Sequence, residues 1–189
     1  MLRMLIVFFV LCFYSSVYSS AKERIISQMK LTNNLSFNFI QTNNNKNENG
    51  KCIIKYPKKI WCEYNSSNKK IIVSNGKSLI IKTTNTNNYY RYPLNKTPLV
   101  FLLDKEYLIS KINILKPREI DNKYLNFSFF ENNNEINIFF DKKNLSLVGW
   151  QTEDIYLNLA VTFISSVKIN QKINDKIFIL PTNNLVSSN

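Results

Sequence analysis

Side chains that carry out covalent chemistry are sparse in this chain of 189 residues, which holds 3 Cys, 13 Asp and Glu, and no His. The commonest general base and metal ligand is therefore missing. Apart from Glu153-Asp154 and Asp104-Lys105-Glu106 the acids are scattered, and neither a Gly-rich phosphate loop nor a metal-ligand spacing occurs. Both acidic clusters read as solvated charge at a turn and at a helix end. No catalytic residue, metal or cofactor is expected. The enzyme reading that survives is a serine or lysine hydrolase, which turnover of an acyl ester by the pure protein would favour.

The cysteines carry more information once the N-terminus is read. Residues 1–21, MLRMLIVFFVLCFYSSVYSSA, place Arg3 before an apolar run from Leu5 to Tyr14 and then small residues. This is the order of a secretory signal peptide, and the run is too short for a membrane-spanning helix. Cleavage is expected after Ser19 or Ala21, which leaves residues 22–189 as one domain in the periplasm. Leu11 before Cys12 is not a lipoprotein signal. Cys52 and Cys62 then remain in an oxidising compartment, where an even pair suggests one disulfide, the alternative being two inert small hydrophobes. A three-residue turn at Tyr56 to Lys58 pairs residue 55 with 59 and so sets Cys52 opposite Cys62, within bridging range.

Net charge is +12, and loss of the leader removes only Arg3 from that balance. Such a charge can mark a nucleic-acid or anionic-membrane surface. Here the lysines and asparagines are spread everywhere, and Arg24, Arg91 and Arg118 are the only other arginines. Nucleic acid is not an expected partner.

The elements that would position a site are mostly strands. Lys22 to Leu31 has helical spacing at Ile25, Ile26 and Met29, and Leu35 to Gln41 alternates as a strand. The Asn/Lys tract up to Gly50 reads as a turn. Strands follow at 51–56, 60–64, 70–74 and 78–83, with Asn75-Gly76 as the clearest hairpin signal. Thr97-Pro98 opens a second helix, Thr97 as N-cap and Pro98 at the first position. Its residues Leu99 to Leu103 are apolar all round, which fits an ordinary core helix or a plug. Beyond it, Leu125, Phe127 and Phe129 alternate against Ile136, Ile138 and Phe140 across Asn132-Asn133, pairing 129 with 136, 127 with 138 and 125 with 140. Further strands are expected at 146–152, 156–163, 167–170 and 176–180. Roughly ten antiparallel strands with two helices suggest a strongly curved sheet or open barrel, mainly β with helices.

In order along the chain come Phe39-Ile40-Gln41, Gly50, Lys55-Tyr56-Pro57, Val73-Ser74-Asn75-Gly76-Lys77 and Thr97-Pro98. Phe140-Asp141, Leu147 to Trp150, Asp154 and Ile177-Phe178-Ile179-Leu180-Pro181 follow. This succession resembles the LolA family of periplasmic lipoprotein carriers over nearly the whole chain after the leader. The resemblance implies an unclosed antiparallel half-barrel whose concave face is covered by short helices. It implies that acyl chains of lipoproteins are taken from an inner-membrane ABC transporter and handed to an outer-membrane receptor, by a carrier that is a monomer. A related open-barrel lipid receptor, an envelope-stress regulator or a carrier of another envelope lipid are the alternatives.

A carrier needs an apolar cavity, because each acyl CH₂ kept from water is worth about 0.8 kcal/mol. Candidates for its floor are Trp61, Tyr64, Phe127 and Phe129, and for its cover Leu99, Phe101 and Leu102. Family members commonly have an arginine before the proline that is Pro57 here, and it helps hold the covering helices shut. This chain has Tyr56, whose phenol offers one hydrogen bond in place of a charged fork, as the candidate latch.

Overall fold

A computed structural model of the chain describes residues 20–44, 46–83, 85, 88–153 and 158–182. The expected leader through residue 19 lies outside the described residues, as do Asp154 and the start of the expected strand at Tyr156-Leu157. No described helix is long and apolar enough to cross a membrane.

Helix α1 spans Ala21–Leu31. Ser20 caps it: its Oγ accepts from the Glu23 N–H at 3.2 Å, and the Glu23 carboxylate accepts from the Ser20 N–H at 2.7 Å. Processing after Ser19 leaves this box intact, whereas processing after Ala21 would remove it. In chain order the strands are β1 (Asn34–Asn43), β2 (Lys46–Lys55), β3 (Lys59–Tyr64), β4 (Lys70–Asn75), β5 (Ser78–Thr83) and β6 (Asn88–Pro93). Two helices follow, α2 (Leu99–Leu103) and α3 (Lys105–Ile114). The remaining strands are β7 (Arg118–Ile120), β8 (Tyr124–Glu131), β9 (Asn134–Asp141), β10 (Leu147–Glu153) and β11 (Leu159–Ile169).

All pair antiparallel in one 11-stranded sheet, ordered β6-β5-β4-β3-β2-β1-β11-β10-β9-β8-β7. Its ends β6 and β7 are not paired to each other, so the sheet is an unclosed half-barrel. Short loops fix the two best-determined registers. In the β8–β9 hairpin Phe129 faces Ile136, Phe127 faces Ile138 and Leu125 faces Phe140. In the β2–β3 hairpin Lys55 faces Lys59 and Cys52 faces Cys62, whose sulfurs are bonded with 4.1 Å between Cα atoms. Closing so short a loop stabilises the fold by roughly 2–3 kcal/mol.

Elsewhere the ladder overrides local preference. Most of the Asn/Lys tract before Gly50 is strand rather than turn, because β2 runs back to Lys46 opposite Asn43. The expected strands at 156–163 and 167–170 belong to one strand, β11, which bends where its register with β1 shifts near Ser166. Strands β6 and β7 and helix α3 have no counterpart in the expected elements. Thr97 does not cap α2: its hydroxyl donates back to the Leu94 carbonyl at 2.8 Å, and Pro98 occupies the cap position. Residues 176–180 are not a strand: 176–178 lie on a 3₁₀ turn, Asp175–Phe178, and Ile179 caps it.

That turn belongs to a C-terminal strap across the convex face. Lys55 pairs with Asp175 at 2.6 Å, Lys59 stands 5.9 Å from the Phe178 ring, and Lys82 donates to the Thr182 carbonyl. The strap explains why Phe178, Val73 and Ile80 are buried although they sit outside the main core. The main core fills the concave face instead. Helices α1 and α3 lie across it antiparallel, and each supplies a lysine to the carbonyl end of the other. Lys22 donates to Asn113 and Leu115, and Lys105 donates to Lys30 and Thr32.

Candidate functional site

Alternation along the strands decides which side chains can line a cavity. On β1 to β3 the concave face carries Leu35, Phe37 and Phe39, then Cys52 and Ile54, then Ile60, Cys62 and Tyr64, all buried. Trp61 is therefore not part of the floor. It lies an odd number of residues from Tyr64, so its indole points to the convex face, where Lys51 approaches it at 5.6 Å beside Ile53 and Ile177.

Under the helices the concave face keeps two apolar hollows. The first has about 790 Å³ of empty space including its opening and lies between Ile60, Tyr64, Ile72 and Leu79 on the sheet and Pro98-Leu99 above. The second, with about 1310 Å³ including its opening, lies between Ile25 and Met29 of α1, Leu102 and Leu108 of the other helices, and Leu35, Ile138 and Phe140 of the sheet. Trp150 borders both, so its ring is the partition, and Phe37 meets it edge to face at 6.0 Å. The sequence reading missed Trp150, although its register opposite Ile138 puts it on the same face as Phe127. Leu31, Val167 and Ile169 rim the second hollow and remain 73%, 36% and 52% exposed, a greasy mouth on an otherwise polar edge.

Of the expected lining, Tyr64 and Leu99 face the first hollow and Leu102 the second. Phe127, Phe129 and Phe101 line neither. Phe127 is fully buried against Phe140, while Phe101, Tyr107 and Phe129 form a column of rings with centroids 5.3 and 6.2 Å apart. The reason is α3: it presses Tyr107 down onto β8 and fills the space a shorter cover would have left open.

Two polar ties hold α2 and α3 to the sheet. At the β2–β3 turn the hydrogen-bonded tie runs through Lys58, while Tyr56 meets α3 only through its ring, 5.9 Å from the Lys105 ammonium. The Lys58 N–H donates to the Leu103 carbonyl at 2.8 Å, and its ammonium pairs at 3.0 Å with Asp104, which also caps α3 by accepting from the Tyr107 N–H. Tyr56 contributes its ring to the second hollow, and burial pushes its phenol up to about 12. At the far side Glu131 accepts from the Tyr107 hydroxyl and from Lys111 at 2.9 Å.

The second tie makes the lid sensitive to pH. The Tyr107 hydrogen bond and then Lys111 hold the Glu131 carboxyl below its ordinary value, while Glu131 and then Tyr107 hold Lys111 above its own. A lowered acid stabilises the closed lid above the ordinary carboxylate range and loses that effect as pH falls through the lowered value. A raised lysine does so below its ordinary range and loses it as pH rises through the raised value. Protection of the amides in residues 105–114, their exchange referred to the intrinsic rate at each pH, should therefore be greatest between those limits and fall on acidification. Glu131→Gln should remove the acid limb; an unchanged acid limb in that variant would refute the assignment.

A family model described as outer membrane lipoprotein carrier protein LolA matches residues 30–180. Among solved structures the chain is similar to an uncharacterized conserved protein from Thermus thermophilus, at 8% identity and TM-score 0.50, covering 86% of this chain and 95% of that one. It is also similar to a LolA superfamily protein from Nitrosomonas europaea, at 10% identity and TM-score 0.46, covering 85% and 98%. A third is a putative outer membrane lipoprotein-sorting protein domain from Vibrio parahaemolyticus, at 8% identity and TM-score 0.46, covering 85% and 97%. At such identities a structural likeness speaks for the fold alone. No curated protein matches in sequence.

Proposed function

This chain belongs to the LolA family, and from that premise we propose that it carries acylated lipoproteins across the periplasm with their acyl chains in the two hollows under α2 and α3. It loads from an inner-membrane ABC transporter, delivers to an outer-membrane receptor, and is exported by a leader that is then cleaved after Ser19 or Ala21, the former keeping the Ser20 cap of α1. The observation that carries this reading is the pair of apolar hollows beneath a cover attached by a few exposed polar ties. Without its opening the second hollow holds about 410 Å³, within the range of small-ligand pockets, and the first, at about 140 Å³, is smaller. A cover held by Lys58-Asp104 and Glu131-Lys111-Tyr107 can open without breaking the strand ladder, because those pairs are partly exposed and individually weak. Loading trades helix-to-sheet contacts for lipid-to-sheet contacts of similar size. No bond is made or broken, so the chain acts as a carrier and not an enzyme.

The test uses the periplasmic protein and inner-membrane vesicles that hold an acylated lipoprotein and its transporter. The carrier should bring the acylated lipoprotein into the soluble fraction and leave its non-acylated form behind, and mass spectrometry of the purified protein should find acyl-bearing cargo. Equal release of both forms would refute the acyl-chain reading. A different co-purifying envelope lipid would move the assignment to a carrier of that lipid, and ester turnover would move it to a hydrolase.

A further inference from the structure

The first hollow has one wall unlike the others. Three sides are apolar, from Ile60, Ile72, Leu79, Ile81 and Leu99, but the end built by β1, β10 and β11 carries Gln41, Thr152 and Thr162. Pairing puts these residues together on the concave face, with Gln41 opposite Thr162, Thr162 opposite Trp150 and Thr152 opposite Ala160. Two of the three are joined in a relay. The Tyr64 hydroxyl donates to Gln41 Oε1 at 3.2 Å, and Gln41 Nε2 donates to Thr162 Oγ1 at 3.0 Å. The relay fixes the amide and fills its hydrogen-bonding capacity on that side.

Thr152 stands outside the relay. The residue is 7% exposed, and its Oγ1 is buried with no hydrogen-bond partner among the described residues. A buried hydroxyl without a partner is destabilising, and valine, of the same shape and better suited to a strand, would avoid the loss. An unpaired hydroxyl lining an apolar hollow is a group held ready for a ligand.

The chemistry of that ligand follows from what surrounds it. A hydroxyl donates to a neutral acceptor as readily as to an anion, but among the described residues lining this hollow there is no lysine or arginine, and the Glu153 side chain alternates with Thr152 to the other face of β10. A carboxylate or phosphate placed here would be an unpaired charge in an apolar surround. A neutral carbonyl oxygen carries no such penalty. We propose that Thr152 is the polar anchor of an acyl-binding subsite that takes an ester- or amide-linked acyl group, the carbonyl oxygen accepting from Thr152 Oγ1–H and the tail lying along Ile60, Leu79 and Leu99. This rests on the carrier reading and deepens it: the first hollow selects acyl groups in covalent linkage over free fatty acids.

The experiment compares three probes of equal chain length, a long-chain methyl ester, the ether that lacks its carbonyl, and the free fatty acid, in competition with a fluorescent lipid on the purified protein at neutral pH. The wild type should prefer the ester to the ether by about fivefold, the size of one neutral hydrogen bond, and should bind the ionised fatty acid more weakly than either. Thr152→Val should bring ester and ether to the same affinity while leaving the ether unchanged, and Thr152→Ser should restore the preference. Circular dichroism of each variant checks the fold. Equal binding of ester and ether by the wild type, or a preference that survives in Thr152→Val, would overturn the subsite and leave the carrier reading standing. If no probe binds at all, the carrier reading falls with it.

Discussion

Replacing Gly50 by alanine is expected to destabilise the domain by about 3 kcal/mol, the upper end of what overpacking a native interior costs. The reason is space. A Cβ at this position would fall 2.1 Å from the Glu63 carbonyl oxygen and 2.9 Å from a ring carbon of Phe39, and the first of these atoms is backbone in the neighbouring strand. It cannot swing aside as a side chain can. Gly50 sits between Phe39 on β1 and Tyr64 on β3, and in the absence of a side chain there the two rings meet edge to face with centroids 4.9 Å apart. Alanine would thus separate β2 from β3 and part the ring pair that walls the first hollow. Against this stands a gain of about 0.4–1 kcal/mol from a less flexible unfolded chain, too small to offset the clash. The midpoint of thermal unfolding should fall by roughly 6–12 °C for a domain of this size. Gly76→Ala is the contrast: its Cβ would meet nothing nearer than 3.8 Å, so its cost comes only from the positive φ of 97°. An unchanged melting temperature in Gly50→Ala would show that the sheet can yield at β2–β3.

What could be read before the structure depended on how local its cause was. The β8–β9 and β2–β3 hairpins were legible because alternation and a short loop together fix a register, and Cys52 opposite Cys62 follows from that arithmetic. Strand β6 was not, because Tyr89-Tyr90-Arg91-Tyr92 alternates weakly and is ordered by pairing with β5. The tract from Lys46 to Asn49 carries residues with poor strand preference and is held by β1. Helix α3 has a weak apolar stripe of its own, and its burial of Leu108 and Ile112 depends on α1 and the sheet beneath. The floor of the site failed for two reasons: Trp61 and Tyr64 are separated by an odd number of residues and cannot share a face, while Phe127 and Phe129 have the right face but are covered by α3. The first hollow's polar wall needed three strands distant in sequence, β1, β10 and β11, to meet, which no local pattern records.

Phe101→Asp is expected to abolish carriage of an acylated substrate while the sheet persists. Phe101 heads the ring column that runs through Tyr107 to Phe129, and Tyr107 donates to Glu131 at its side. An aspartate at the head of that column brings a second carboxylate toward Glu131 and removes the ring contact that seats α2. Breaking such a contact with an unpaired, partly buried charge costs about 3–5 kcal/mol. That penalty falls on the closed lid, so affinity for an acyl ligand held beneath it should drop by two to three orders of magnitude at roughly 1.4 kcal/mol per tenfold. The strand ladder makes no use of Phe101, the disulfide and the C-terminal strap are not part of the column, and Ile136 meets the column only at Phe129, the end away from Phe101. Far-ultraviolet circular dichroism should accordingly keep its strand signal. Phe101→Leu, which keeps an apolar side chain on α2, should retain most of the transfer from inner-membrane vesicles and so separate loss of the ring from gain of the charge. Collapse of the fold in Phe101→Asp would make α2 a plain core element, as the burial of Leu102 and Leu103 beside it would then imply. Undiminished transfer with an intact fold would mean that the acyl chains are shielded by α1 and the second hollow alone, and that α2 is no part of the cover.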